Sequence, residues 1–216
     1  MPRKPRIFIP DVSVHVIHRG NNRGAIVRDD ADRAVFVALL RRTVARHGLR
    51  VHGYALMDTH YHMLVTPPDP VCLPATMKEF GGRYVRYFNR RYERIGTLWN
   101  GRYRDLLIHD ERYWLTCLRY IEQNPVRARM VQRPDDFHWS SSRFHALGAR
   151  SDWLTPHSLY LGLGSTAKQR QLAYRTICEV LISDTELVEQ RSPWRPVGHI
   201  PLGTEAGTKQ RSQEGV

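Results

Sequence analysis

The sequence predicts an α+β fold: a ferredoxin-like sandwich, with a mainly antiparallel sheet and helices on one face, plus a mostly helical C-terminal extension. Segments with the apolar alternation of strands and segments with helical periodicity follow one another in the order β-α-β-β-α-β, and another helix comes after them. The 216 residues are 41% hydrophobic and 10% aromatic, which is enough to bury a core. No apolar run approaches the roughly 20 residues that a membrane span requires.

The first third of the chain supplies the β-α-β-β part. DVSVHVIH at 11–18 alternates about its valines and predicts a strand, and the glycines and asparagines of RGNNRG at 19–24 predict a turn or loop. Two aspartates start a helix over 29–47, which a glycine ends. VHGYALM at 51–57 and HYHMLV at 60–65 then predict two strands joined by a turn.

The middle of the chain supplies the α-β part and the helix behind it. A cluster of prolines is followed by a predicted long helix over 75–94, and TLWNGRYRDLLI at 97–108 fits a strand or a loop. An apolar stripe predicts a helix over 110–122, which Pro125 interrupts unless, with the asparagine before it, it caps a short second helix. One more helix is expected over 167–183.

Charge divides the chain and points to its partner. Residues 1–150 hold 26 of the 33 basic and 14 of the 21 acidic residues, so the whole net charge of +12 lies there, and residues 151–216 are neutral. Of the basic residues 29 are arginines, the better planar donors to phosphates and base edges, although GC-rich codon usage also enriches arginine. We expect a nucleic-acid partner, a main domain over 1–144, a helical extension over 145–200 and a disordered tail over 201–216.

The cysteines and the start of the chain indicate a compartment. Cys72, Cys117 and Cys178 are odd in number and far apart, so they fit neither a disulfide framework nor a C-x-x-C zinc site. MPRKPRIFIP lacks the apolar stretch of a secretory signal. The simplest interpretation is a reducing, cytoplasmic location with no membrane partner.

His60-Tyr61-His62 is the sharpest local motif. On a strand the two imidazoles point to one face and Tyr61 to the other, which makes half of a divalent-metal site. With eleven histidines in the chain, an H-x-H can also arise by chance, so a structural or solvent-facing pair stays open. Three further histidines fit surface or polar-packing positions better: His47, His52 and His109.

Tyr120 is the second candidate, with Asn124 one helical turn later on the same face. A tyrosine hydroxyl and an amide oxygen so placed can serve as nucleophile and metal ligand, and an ordinary amphipathic tyrosine is the alternative. The residue four positions after Tyr84, Tyr87 or Tyr103 is poorly suited to ligation, which favours Tyr120.

Five ordered motifs resemble those of the single-tyrosine transposases of the H-U-H nuclease superfamily, where U is a bulky apolar residue, filled here by Tyr61. The resemblance is closest to the REP-associated tyrosine transposases, the bacterial branch linked to repeated extragenic palindromes. It covers roughly residues 10–145, includes RGNNR, and extends to WLTPHSLYLGLG at 153–164. The motifs are YALMDTHYHMLV, GGRYVRYFNRRY, GTLWNGRYR, LRYIEQNPVRARMV and WSSSR.

The resemblance implies roles for individual residues. The family's two metal-binding histidines fall on His60 and His62, its nucleophilic tyrosine on Tyr120, and the polar residue that completes the metal site on Asn124, with Mg²⁺ or Mn²⁺ as the cation. Relatives usually carry Pro-Asn ahead of the first histidine, where this chain has Asp58-Thr59. Both pairs suit a turn, so the strand register is expected to survive.

The implied function is that of a metal-dependent single-stranded DNA endonuclease and strand-transferase. It would act at hairpin DNA through a covalent 5′-phosphotyrosine, as a monomer or a homodimer. A catalytically inactive, domesticated hairpin-binding protein is the alternative, and an RNA-binding ferredoxin-like module is a third class.

DNA contacts are expected from three groups of side chains. Arginines of the 75–94 helix would track phosphates, unless they form a solvated face; Trp99 and Tyr103 would stack on bases, although burial of Trp99 in the core is an equal alternative. The RGNNR loop offers planar groups to base edges, or is simply a tight turn. The full set is Arg19, Asn21, Asn22, Arg23, Arg83, Arg86, Arg90, Trp99, Arg102, Tyr103, Arg104 and Arg127.

Overall fold

The computed structural model describes residues 9–108 and 110–182. The predicted tail over 201–216 and the last part of the predicted extension lie outside the described residues. No helix in the described part of the chain is long and apolar enough to cross a membrane. Cys72, Cys117 and Cys178 are all free thiols.

Four strands form one antiparallel sheet, as predicted. They are β1 (Ser13–Arg19), β2 (Arg50–Leu56), β3 (His60–Thr66) and β4 (Arg104–Ile108), in the spatial order β2-β3-β1-β4. This is the order of a β-α-β-β-α-β ferredoxin-like sheet, in which β3 lies between β1 and β2, the first two strands of the chain. The 97–108 segment, left open between strand and loop, is a loop that becomes a strand only in its last five residues.

Two helices cover one face of the sheet. α1 (Asp30–His47) starts at Asp29, whose carboxylate accepts a hydrogen bond from the Asp32 amide, and ends at Gly48 with a φ of 68°. α2 (Cys72–Arg91) lies beside it. Their apolar sides pack on the side chains that alternate outward from β1 and β3 in a single buried core, which includes Val14, Val16, Phe36, Leu40, Tyr61, Met63, Phe80 and Tyr84.

α1 and α2, the two helices of the ferredoxin-like order, share one face as predicted, and the further helix, α3 (Glu111–Arg127), lies on the opposite face. The helix packs against Ala55 and Leu64 through Cys117 and Leu118. It approaches β2 so closely that a Cβ on Gly53 would lie 2.3 Å from Leu118 Cδ1. Local periodicity shows which side of a helix is apolar but not which face of a sheet it will cover, so the sequence left this choice undetermined.

The C-terminal part of the described chain packs on the same side as α3. A 3₁₀ turn at Pro134–Asp136 leads to α4 (Ser142–Leu147), α5 (Ser158–Leu161) and α6 (Ala167–Glu179), and α4 and α6 contact each other. The predicted 167–183 helix is therefore four residues shorter than expected. The predicted boundary at 144/145 falls inside α4.

Candidate active site

His60 and His62 project from β3 to the face that α3 covers, and Tyr61 projects into the core on the other side. Tyr61 is 1% exposed and packs against Phe36 and Phe80, whereas the two imidazole rings lie with their centroids 5.0 Å apart. His62 is buried and His60 is half-buried. The alternation of a strand therefore places both histidines side by side at one sheet face, as the motif predicted.

Both imidazoles are held through their Nδ1 atoms. His60 Nδ1 lies 3.1 Å from the Thr59 hydroxyl, and His62 Nδ1 lies 2.9 Å from Nε2 of His15, a buried residue of β1. Burial lowers the pKa of His60 to about 4, and the charge of Arg19, its cross-strand partner, lowers it too. His60 is thus a neutral imidazole at pH 7, the form that binds metals.

Tyr120 lies against this histidine pair. Its ring meets the ring of His62 perpendicularly at 5.7 Å between centroids, and the ring of His15 at 6.1 Å. The Arg127 guanidinium stands 5.8 Å from the Tyr120 ring centroid. Because α3 packs on the sheet face that carries the histidines, Tyr120 lies next to the H-x-H strand. The two strongest sequence candidates, the histidine pair and Tyr120, therefore form one site.

Asn124 occupies the next turn of α3. Its amide nitrogen donates to the carbonyls of Tyr120, at 2.7 Å, and Ile121, at 3.3 Å, so the amide oxygen is the atom that a cation would use. Within the described residues, no group of three or more His, Cys, Asp or Glu side chains is arranged to hold a metal ion. Two imidazoles and an amide oxygen, with water in the remaining positions, are a donor set that tolerates Mn²⁺ or Mg²⁺, although affinity alone would favour later transition metals.

A buried polar cluster, not found from the sequence, anchors α3 two residues beyond Tyr120. The Glu122 carboxylate is fully buried and accepts hydrogen bonds from the Ser141 hydroxyl, from His145 Nδ1 at 2.8 Å and from the Tyr174 hydroxyl at 2.7 Å. Ser141 belongs to the WSSSR motif at 139–143, and His145 follows it by two residues. From the sequence, this motif had a family resemblance but no physical role. Its role in the structure is to fix the tyrosine-bearing helix to β2 and α6.

A second set of contacts ties α3 to the chain that follows α6. Gln123 donates to the carbonyls of Cys178 and Val180, at 3.0 and 2.9 Å, and accepts from the amide of Ile182 at 3.1 Å. On either side of it, Arg119 donates to the Val180 carbonyl and Arg127 to the Ile182 carbonyl. We call these three side chains the α3 clamp. Residues 178–182 therefore run along the helix that carries Tyr120.

The RGNNR loop lies at the same end of the sheet as His60. Arg19 pairs with His60 in the strand register, and the Gly20 amide donates to the Thr59 carbonyl at 2.8 Å. The chain then makes a 3₁₀ turn over Asn21–Arg23, so tight that a Cβ on Gly20 would lie 2.1 Å from the Gly24 carbonyl oxygen. The turn interpretation is thus correct, and the four polar side chains, Arg19, Asn21, Asn22 and Arg23, are all exposed.

Two predicted base-stacking residues are buried. Trp99 and Tyr103 are each 7% exposed, and Trp99 stacks on His18 at 4.2 Å. Their rings belong to the core, which corrects their assignment to DNA contacts. Whether a ring is buried cannot be read from its sequence neighbours, because the His18 ring that covers Trp99 lies in β1, 81 residues earlier in the chain.

The remaining predicted DNA contacts are distributed over both sides of the sheet. Arg83 is paired with Glu79, at 3.0 Å, on α2, the helix opposite the histidine site, and Arg86 and Arg90 of that helix are exposed. Arg102 and Arg104 are exposed close to or within β4. The structure therefore brings the RGNNR loop to the end of the sheet where His60 lies, whereas the α2 arginines lie on the face opposite His60 and Tyr120.

Asp58, in the turn that departs from the family pattern, points away from the histidines. Its carboxylate accepts from the Arg33 guanidinium at 2.5 Å, and its backbone carbonyl accepts from the amide of Ile26 at 2.7 Å. The strand register of His60 and His62 is intact, as expected.

The comparisons with known proteins agree with this geometry. The model of a family described as IS200-like transposases matches residues 9–124, more than half of the chain, from four residues before β1 to Asn124. The match and the fold make this protein a transposase by class, that is, one of the enzymes that cleave and join DNA. The chain belongs to the IS200-like transposase family. No curated protein matches its sequence.

One solved structure confirms the fold. A REP-associated tyrosine transposase bound to a REP hairpin is 16% identical, with a TM-score of 0.54 over 74% of this chain and 96% of that chain. More distant are a candidate transposase from Deinococcus radiodurans R1, at 20% identity, a TM-score of 0.39 and coverage of 61% and 94%, and tRNA(His) guanylyltransferase from Saccharomyces cerevisiae, at 13%, 0.43 and 84% of each chain. The resemblance to the REP-associated branch is thus confirmed at the level of the fold.

Proposed function

We propose that this chain is a metal-dependent single-stranded DNA endonuclease and strand-transferase that acts at hairpin DNA through a covalent 5′-phosphotyrosine on Tyr120. The observation that carries the proposal is the position of the Tyr120 ring, 5.7 Å from His62 and beside the Arg127 guanidinium. Tyr120 lies on α3, within the residues that the family model matches, and its ring contacts His62 of the H-x-H strand. Family membership supports cleavage and joining of DNA in general.

Each side chain has a defined task in this proposal. The Tyr120 hydroxyl attacks the scissile phosphorus, forming an Oη–P bond while the bond to the 3′ oxygen breaks; the tyrosine loses its proton and the leaving oxygen gains one. His60, His62 and Asn124 would hold the cation. When bound, it would supply Lewis-acid polarisation of a non-bridging phosphate oxygen. Arg127 adds a fixed positive charge where the phosphate must approach Tyr120.

Hairpin DNA is the proposed substrate because the known neighbour holds a REP hairpin and because the exposed polar side chains of the RGNNR loop lie at the end of the sheet where His60 is found. Arg19 and Arg23 would bind phosphates, and Asn21 and Asn22 would contact base edges near the cut. The phosphotyrosine keeps the energy of the broken phosphodiester, so attack by another DNA 3′-hydroxyl joins strands without an external energy source.

The test is a denaturing gel of the full chain with hairpin oligonucleotides from repeats that flank its gene, with Mn²⁺, Mg²⁺ or EDTA. We expect a slow-migrating adduct that retains a 3′ label, a free shorter fragment that retains a 5′ label, and neither in EDTA. Tyr120→Phe abolishes the adduct. Tyr113→Phe, on the same helix two turns earlier, is the matched control and keeps it.

Two outcomes would contradict the proposal. An adduct on the 5′-labelled fragment would reverse the polarity of the attack. Tight hairpin binding by the wild type without an adduct in any metal would make the chain a hairpin-binding protein instead.

A further inference from the structure

His15, in β1, lies beside the histidine pair but has no task in the proposed function. It is 1% exposed and lies on the same sheet face as His62, diagonal to it, because Ile17 of β1 stands directly opposite His62. The two rings are inclined by 25° with centroids 5.1 Å apart, and Nε2 of His15 is 2.9 Å from Nδ1 of His62. The centroids are 2.2 Å further apart than the two nitrogens, so at this small inclination the rings lie edge to edge and each nitrogen is close to the plane of the other ring, the direction that an N–H···N bond requires.

We propose that His15 is a positioning residue, which accepts a hydrogen bond from His62 Nδ1–H and thereby fixes the tautomer of His62 that can bind a cation. This inference rests on the proposed function of the same site. A neutral imidazole carries one proton, so a proton on Nδ1 leaves the lone pair on Nε2. The reverse arrangement, with His15 as donor, would place the proton of His62 on Nε2 and remove it as a ligand.

The surroundings favour one orientation of the ring as well as one tautomer. The His62 ring has the His60 ring on one side at 5.0 Å and the Tyr120 ring at 5.7 Å, both nearly perpendicular to it. Rotation about the His62 side chain would break the bond to His15 and move the ring into these neighbours. Metal-binding histidines in general donate their second N–H to a fixed acceptor, and loss of that acceptor weakens metal binding 10- to 100-fold.

The first test reads the tautomer of His62 directly, without metal or DNA. Long-range ¹H–¹⁵N NMR spectra of the full chain with ¹⁵N-labelled histidine distinguish a protonated from an unprotonated ring nitrogen. We expect His62 to carry its proton on Nδ1 in the wild type. A wild-type His62 protonated on Nε2 would overturn the proposal, even if no variant of His15 folds.

The second test measures Mn²⁺ affinity by calorimetry in an acceptor series at position 15. His15→Phe fills the space without an acceptor and should weaken Mn²⁺ binding by about 10- to 100-fold. His15→Gln restores an acceptor oxygen and should stay within a few-fold of the wild type. His18→Phe is the matched control, since His18 lies on the same strand but faces Trp99 on the other side of the sheet, and it should not change the affinity.

These measurements separate the inference from the proposed function. Equal Mn²⁺ affinity in the wild type and in a folded His15→Phe variant would overturn the role of His15 while the wild-type adduct still supports the nuclease. No adduct in the wild type, with Nδ1 of His62 protonated and Mn²⁺ affinity lost in His15→Phe, would refute the nuclease and leave the positioning role established.

Discussion

His52 makes stability depend on pH through a buried chain of hydrogen bonds. Its Nδ1 faces the Thr155 carbonyl at 2.8 Å, so Nδ1 must donate, and its Nε2 must accept from the Thr66 hydroxyl at 2.8 Å. Thr66 then accepts from Ser13, at 2.8 Å, and Ser13 accepts from the indole N–H of Trp114 at 3.0 Å. Every donor in this series of hydrogen bonds has an acceptor only while His52 is neutral. The series connects β2 and β3 to α3.

The magnitude follows from the pKa of His52. Burial lowers this pKa from 6.5 to about 4, and the charge of Arg50 acts in the same direction. The unfolded chain therefore takes up a proton near pH 6.5, whereas the folded chain does so only near pH 4. Stability is lost as the pH falls through this window, by about 2 kcal/mol between pH 7.5 and pH 5 and by about 3 kcal/mol at pH 4.

The assay compares the wild type with His52→Gln in urea unfolding at pH 7.5 and pH 5. Glutamine can donate to Thr155 and accept from Thr66 but does not titrate, so the variant should lose about 2 kcal/mol less than the wild type over this range. His157 contacts the His52 ring at 5.0 Å and titrates in both proteins, which is why only the difference is informative. His138→Gln, at an exposed histidine, should follow the wild type. Parallel losses in the wild type and His52→Gln would refute the reasoning.

Three further predictions concern the position of α3 and the DNA. Gly53→Ala should lower the free energy of unfolding by about 1–3 kcal/mol, because its Cβ would lie 2.3 Å from Leu118. Gly82→Ala is the control and should not destabilise, since its Cβ would have no neighbour closer than 3.7 Å. Urea midpoints measure both variants, and equal midpoints would exclude the close approach of α3 to β2. Glu122→Ala should cost about 3–5 kcal/mol, since three buried donors lose their acceptor, and a loss below about 1 kcal/mol would mean that water replaces the carboxylate. Arg23→Ala should reduce the slope of log affinity against log salt for hairpin DNA by about 0.7–0.9, as measured by fluorescence anisotropy, and an unchanged slope would remove Arg23 from the interface.

The sequence was sufficient for most elements and for the central residues of the site, although α3 runs through Pro125 to Arg127, where the proline predicted an interruption. Strand alternation placed His60 and His62 on one face, and helical spacing placed Asn124 beside Tyr120, because both patterns are set by backbone geometry alone. Their convergence depends on α3 crossing the far side of the sheet, which local periodicity does not specify. The resemblance, not the spacing, indicated that the tyrosine and the histidines meet.

The residues that sequence reasoning missed are those whose role depends on distant partners. His15 is found in a strand whose alternation already put it on the face opposite Val14 and Val16, so a polar face in β1 was a usable signal. Nothing near Glu122 in sequence announces its three partners, because they lie 19 to 52 residues further along the chain. Trp99 was misassigned for the same reason, since the His18 ring that covers it comes from the first strand.

The α3 clamp has a consequence for how this chain can change over time. The side chains of the clamp bind residues 178–182 at three main-chain carbonyls and one main-chain amide. These bonds do not involve the side chains of residues 178–182. Any side chain that tolerates this path therefore preserves the attachment, except proline at position 182, which would remove the donated N–H. Mutations can accumulate at Val180 and Leu181, whose side chains are exposed, without releasing the helix that carries Tyr120, while the three residues of the clamp have far less freedom to vary.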